Sequence, residues 1–273
     1  MKKKIISFLT TILAFSFVLT GCGNKATDNK ATDNEDNSLS YVQDKGEFIL
    51  GLDDSFPPMG FRGDNEEIVG FDIDMAKEVA KRLDVELKLQ PIDWDSKILS
   101  LEKKDIDCIW NGLTITEERK DKVEFSNPYL ANRQVIVVLE GSDIEKKENL
   151  AEKVVSVQAG SSGKEAVSAD SETLDSLKEL REFANYTEAL LDLSAKRTDA
   201  VVIDEIVARY YISKKPGEYK VVTDDFGSEE YGIGFRKGEL KLADEVNKIL
   251  SEMKEDGTSA KISEKWFGED IVK

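Results

Sequence analysis

An α/β fold built on helix-covered, largely parallel sheet is predicted by three features of the chain. The order strand, helix, strand runs from Phe48 to Leu89 and starts again near Val154, which is the grammar of parallel strands joined by covering helices. An apolar run, Ile106 to Trp110, ends abruptly in Asn111-Gly112-Leu113-Thr114 and then Glu117-Glu118-Arg119, as a buried strand does when its carboxyl end opens into a cleft. Leu101 to Asp107 and Leu193 to Asp199 share one spacing, and the apolar strands they open end in Asn111-Gly112 and in Asp204. Two similar lobes with polar strand ends facing each other make a cleft, although helix–turn–strand units are common enough that this echo alone is a weak sign.

Taken in order, Phe48 to Leu52 reads as a short buried strand that stops at Asp53-Asp54-Ser55-Phe56-Pro57-Pro58, where two prolines forbid continued pairing. Met75, Ala76, Val79, Ala80 and Leu83 then recur at helical spacing, with Asp72 and Asp74 at the positive end of the helix dipole. Val85 to Leu89 alternates as a strand, and Asp95 to Lys103 reads as a helix ahead of Ile106 to Trp110. Glu117 to Lys122 is helical, Asn127-Pro128-Tyr129 breaks the chain, and Gln134 to Leu139 is a β-branched strand. Val154 to Val157 is a strand followed by Gln158-Ala159-Gly160-Ser161-Ser162-Gly163 and a helix. A helix carrying Ala189, Leu190 and Leu193 precedes the strand Ala200 to Ile203, and Tyr231 to Phe235 is one further strand. Leu240, Leu242, Val246, Ile249, Leu250 and Met253 mark a tail helix, and a short helix ends near Trp266.

Composition narrows the function. The chain of 273 residues has a formal charge of −17, about −20 once Lys2, Lys3 and Lys4 are removed with a leader. Such a surface repels phosphate backbones, so nucleic acid is not an expected partner. There is no histidine, which removes Ser-His-Asp and Cys-His nucleophile pairs and most zinc sites. Enzymes are demoted by this and carboxylate chemistry survives it. No cofactor, metal or catalytic residue is expected.

Lys2 to Lys4 and the apolar run Ile5 to Leu19 have the form of a signal peptide. Leu19-Thr20-Gly21-Cys22 resembles the lipobox of bacterial lipoproteins, which implies cleavage before Cys22 and anchoring through two acyl chains on the extracytoplasmic face of the cell membrane. Residues 23–40, with Lys-Ala-Thr-Asp-Asn repeated at Lys25 and Lys30, are polar enough to form a flexible tether spanning roughly 20–25 Å. Cys108, inside an apolar strand, reads as a buried and inert thiol.

Across Tyr41 to Phe267 the chain resembles the extracellular solute-binding proteins of the polar amino-acid ABC importers. The resemblance is carried by Gly70-Phe71-Asp72-Ile73-Asp74-Met75-Ala76-Lys77-Glu78-Val79-Ala80, by Leu113 to Arg119, by Gly160-Ser161-Ser162 and by Ile203-Asp204-Glu205. It implies a two-lobed periplasmic-binding-protein-like fold of type II: two mixed sheets flanked by helices, with a two-strand hinge around Gln134-Val135-Ile136 and Gly232-Ile233-Gly234. The first lobe would be 41–132 with 230–273, and the second 133–229.

The resemblance also implies a site. A free amino acid needs a fixed cation, a fixed anion and backbone dipoles. Arg119 would fork to the ligand carboxylate, whereas on the residues alone a surface ion pair with Glu117 or Glu118 is the preferred reading. Ser161 and Ser162, at a helix start after Gly160, would add N–H groups, and Thr114 an amide and a hydroxyl. Asp204 would take the ammonium; a strand-end aspartate is otherwise most often a helix cap. Phe56 and Trp94 match apolar walls of the pocket, or are ordinary core. Asp53, Gln158 and Asn111, with Gly112 after it, fall near the distal end where specificity is set. Trp110 either shortens the pocket or packs in the core. The implied function is delivery of a polar amino acid (glutamine, a basic amino acid or cystine) to an ABC permease by a lipid-anchored monomer. A dehydratase on the same fold and a sensor or adhesin lobe are the alternatives.

Overall fold

The computed structural model describes residues 36–273. The leader, Cys22 and tether residues 23–35 lie outside the described residues. The last tether residues do not behave as a tether: α1 (Ser38–Lys45) begins there, its buried Ser38 accepting from the Leu242 amide at 3.0 Å. Polar composition hid the helix because only Val42 and Ser38 of its residues are buried.

The first half of the chain builds one mixed sheet. β1 (Glu47–Leu52) leads through a small meander, β2 (Ser55–Phe56), β3 (Gly60–Arg62) and β4 (Ile68–Val69), into α2 (Phe71–Arg82). α2 buries Ile73, Met75, Ala76, Val79 and Ala80 on one face, as their spacing predicts. β5 (Glu86–Pro91), α3 (Lys97–Glu102) and β6 (Cys108–Ile109) follow, then α4 (Glu117–Lys120) and β7 (Val123–Phe125). β1 pairs in parallel with both β5 and β6. Cys108 is fully buried and its thiol is pushed up by that burial, so it is inert.

The second sheet starts with β8 (Leu130–Leu139) and continues through β9 (Val154–Gln158), α5 (Ser162–Ala169), α6 (Ser171–Ser176), β10 (Glu179–Phe183), α7 (Tyr186–Ser194), β11 (Ala200–Asp204), α8 (Glu205–Lys214) and β12 (Tyr219–Tyr231). Its order is β10-β9-β11-β8-β12, with β8 antiparallel to both neighbours. Alternation is strict where both faces are covered: Val135, Val137, Val201 and Ile203 enter one core, while Ile136, Val138, Ala200 and Val202 enter another.

The chain returns to the first sheet with β13 (Gly234–Arg236), antiparallel to β6 and β7, and closes with α9 (Leu240–Glu255) and α10 (Thr258–Phe267). The first sheet therefore runs β5-β1-β6-β13-β7. The strand expected over Tyr231–Phe235 is split, because β12 ends at Tyr231 and Gly232 donates sideways to the Leu113 carbonyl at 2.9 Å. The segments passing between the sheets pair as Leu130↔Tyr231, Ala131↔Glu230, Asn132↔Glu229 and Arg133↔Ser228. This crossing lies a few residues before the expected hinge runs, since Gln134 to Val137 already pair with β11.

Candidate functional site

The carboxyl ends of β1 and β6 deliver the first group of predicted residues. Asp53 follows β1, and its amide donates to Asn111 Oδ1 at 3.2 Å. Asn111 is fully buried and braces that strand end, so its side chain stands behind Asp53 and against Gly60. Gly112 turns the chain at φ +60°, and a Cβ there would lie 2.8 Å from the Phe56 ring. Its amide donates to Asp72 Oδ2 at 2.8 Å, which also accepts from the Tyr129 hydroxyl at 3.0 Å. Burial pushes Asp72 up to about 7 against these hydrogen bonds. Trp110 has its ring 6.1 Å from that of Tyr129, in the core, which resolves its two readings in favour of packing.

The second sheet supplies the other group. Gln158 ends β9, Gly160 turns at φ +67°, and Ser161 caps α5 by accepting from the Lys164 amide at 3.0 Å. A Cβ on Gly160 would meet the Asp95 backbone at 2.8 Å, so the turn sits directly against the first sheet's elements. Asp204 ends β11 in the capping position of α8, yet makes no cap hydrogen bond. It accepts instead from Tyr231 at 2.6 Å, Asn132 at 2.8 Å and Gln134 at 2.9 Å. The helix-cap alternative for Asp204 therefore fails.

Across the boundary the two groups meet. Thr114 Oγ1 and Ser162 Oγ are 2.9 Å apart, and Gln158 Nε2 donates to Asp53 Oδ2 at 2.7 Å. Arg119, 4% exposed, donates to the Thr114 carbonyl at 3.0 Å, the Gly160 carbonyl at 3.1 Å and Glu165 at 2.8 Å. Its surface-pair alternative also fails, because Glu117 and Glu118 bind Lys120 and Lys122. Phe56 approaches Tyr186 with ring centroids 6.0 Å apart. Trp94 is buried with a separate core cluster and carries Lys97 Nζ 5.0 Å from its ring.

Charge is unevenly balanced inside. Burial pushes Asp53 up to about 6, and burial with the nearby Glu229 pushes Asp204 up to about 7. On the other side Lys97 is pushed down to about 7 by burial and by Arg119; it donates to the Gly160 carbonyl at 2.8 Å. Lys97 and Arg119 thus meet at the Gly160 carbonyl, while Asp53 and Asp204 accept hydrogen bonds from neutral groups.

Residues 48–269 match the bacterial extracellular solute-binding proteins, family 3. This chain belongs to that family. The solute-binding protein is 34% identical to the L-cystine-binding protein TcyJ of Escherichia coli K12, covering 86% of this chain and 88% of the relative. It is 32% identical to the glutamine-binding protein GlnH of Bacillus subtilis, covering 98% of both. A Streptococcus pneumoniae ABC-transporter binding protein, solved with histidine bound, superposes with a TM-score of 0.84 at 37% identity, over 87% of this chain and 98% of that one. The fold is the two-lobed one of these proteins, and the chain is a binding protein and not an enzyme.

Sequence reasoning missed several side chains that the solute-binding protein gathers here. Lys97 and Glu165 sit at helix positions whose spacing marks only a surface, and tertiary contact alone brings them to Arg119 and Gly160. Asn132, Gln134 and Glu229 lie on the crossing strands. A polar Asn132 and Gln134 leading into a β-branched run was the one available signal for them.

Proposed function

We propose that this protein receives a polar α-amino acid whose side chain ends in N–H donors and hands it to an ABC permease. The observation that carries the reading is the placement of a buried arginine and a buried aspartate on elements of opposite sheets. Arg119 and Asp204 are joined through Thr114, Ser162 and Gln134. The ligand carboxylate would compete with the Gly160 carbonyl and Glu165 for the Arg119 fork, with Ser161, Ser162 and Thr114 adding amides. Asp204 would take the ammonium. Phe56 and Trp94 would wall the side chain, and Asn111 and Gly112 would hold the strand end that carries Asp53.

Asp53 and Gln158 set the preference for a donor at the far end. Asp53 is a buried acceptor satisfied by Ser55 and Gln158, and a ligand amide, ammonium or guanidinium supplies what a hydrocarbon side chain does not. Glutamine, the basic amino acids and cystine all fit this description, and the names of TcyJ and GlnH point the same way.

The lobes would be 41–132 with 230–273 and 133–229, with α1 added to the first, closing about the crossing strands. The monomer would be held at the extracytoplasmic face of the cell membrane through acylated Cys22. Among the described residues no helix is long and apolar enough to cross a membrane. A thermal-shift screen of the twenty amino acids with cystine and ornithine tests the ligand class. A stabilised set confined to polar amino acids is expected; a response to none of them, or to apolar ones alone, rejects the reading.

A further inference from the structure

Asp204 does not stand alone. Glu229, on β12, directs Oε1 to the same place and accepts from Asn132 at 2.6 Å, Thr114 at 2.8 Å and Gln134 at 2.9 Å. Two carboxylates therefore share the side-chain amide groups of Asn132 and Gln134. Arg133, which stands between Asn132 and Gln134 in the chain, is engaged with Glu205 and Asp225, and Arg119 with Glu165. Beside the pair, Asn132 Oδ1 and Gln134 Oε1 are buried acceptors without a hydrogen-bond partner. Those side chains are 7% and 1% exposed. Two carboxylates that gather on the same neutral donors are the complement of a cation that carries several N–H donors.

We propose that Glu229 is a second anion for the ligand's ammonium group, and that the ammonium displaces a proton that Asp204 holds while the site is empty. The inference rests on the amino-acid reading of the site. On binding, the carboxyl O–H bond breaks, its proton leaves to solvent, and an ammonium N–H takes over the hydrogen bond. Asp204 passes from a neutral carboxyl to a carboxylate. Like charges in a buried site cannot both ionise freely, and burial with Glu229 already pushes Asp204 up to about 7. The neighbouring phenols, Tyr186 on α7 and Tyr231 on β12, are pushed well above their ordinary range and stay neutral. Lys97, pushed down to about 7, stands with Arg119 at Gly160; its proton exchange is common to wild type and to Glu229 variants, so the difference between them isolates the pair.

Titration calorimetry of the full chain with L-cystine, L-glutamine, L-arginine and L-histidine, in two buffers of different ionisation enthalpy near neutral pH, tests this. With whichever ligand saturates the wild type, Glu229→Gln is expected to bind about tenfold or more weakly, the worth of one charge-assisted hydrogen bond. It should also release fewer protons per ligand. Glu229→Asp, which keeps the charge, should keep the proton release. Wild-type affinity together with wild-type proton release in Glu229→Gln overturns the proposal while leaving the amino-acid reading in place. Saturation of the wild type by none of the four ligands removes both.

Discussion

Gly112 shows how little room the site leaves a side chain. Its positive φ excludes most L residues, and a Cβ would also crowd Phe56 at 2.8 Å and Tyr231 at 3.1 Å. Gly112→Ala should therefore destabilise the fold by about 1–3 kcal/mol, read as a lower urea midpoint; an unchanged midpoint means the turn relaxes freely. Arg119 and Asp204 belong to the same scale. Arg119→Ala removes the fork, and Asp204→Asn removes a buried charge while keeping the shape. Each should weaken ligand binding about ten- to a hundredfold, since each loses at least one charged hydrogen bond worth about 1.5–3 kcal/mol. Full affinity by calorimetry in both variants would show the ligand to lie elsewhere.

Between elements, one direct link is the pair of hydroxyls Thr114 and Ser162, 2.9 Å apart. One follows β6 of the first sheet; the other opens α5 of the second, and both also reach Glu229. Thr114→Val and Ser162→Ala form a double-mutant cycle whose coupling in ligand-free protein should be about 0.5–1.5 kcal/mol. Strict additivity of the two substitutions would show that the hydroxyls do not hold the sheets together in solution. The helices were the legible part at this scale. α2 and α9 announce themselves by periodic apolar positions, whereas α1 and β12 do not, because both are largely polar and find their partners far away in the chain.

For the whole molecule, three buried aspartates set a pH dependence. Asp53 is raised to about 6 and Asp72 and Asp204 to about 7. Their folded forms hold protons that the unfolded chain, with ordinary values near 4, has already lost. The folded state thus binds more protons between about pH 4 and 7, and the stability these groups contribute is lost as pH rises through that window. The melting temperature of ligand-free protein should fall across it, and Asp72→Asn, whose amide oxygen still accepts from Gly112, should flatten the fall. A wild-type slope in Asp72→Asn would remove Asp72 as a cause. Closure belongs to this scale too. A saturating ligand should compact the particle in small-angle scattering, because a ligand held by Arg119 and Asp204 at once would bridge elements of the two sheets.

The sequence by itself determined the strand–helix order, the polar strand ends and the segments that match the family, because periodicity and the abrupt end of an apolar run are local properties of the chain. It left Arg119 between a surface pair and a ligand fork, Asp204 between a helix cap and an anion site, and Trp110 between pocket and core. Tertiary structure removed the surface pair and the helix cap and put Trp110 in the core, by burying Arg119 against Gly160 and Glu165, by turning Asp204 away from α8 toward Asn132 and Gln134, and by placing Trp110 beside Tyr129. Glu229 was hidden for the same reason. A carboxylate on a polar strand looks solvated until the strand opposite, Asn132 to Gln134, is known, since desolvation and shared hydrogen bonds are properties of the surroundings and not of the residue.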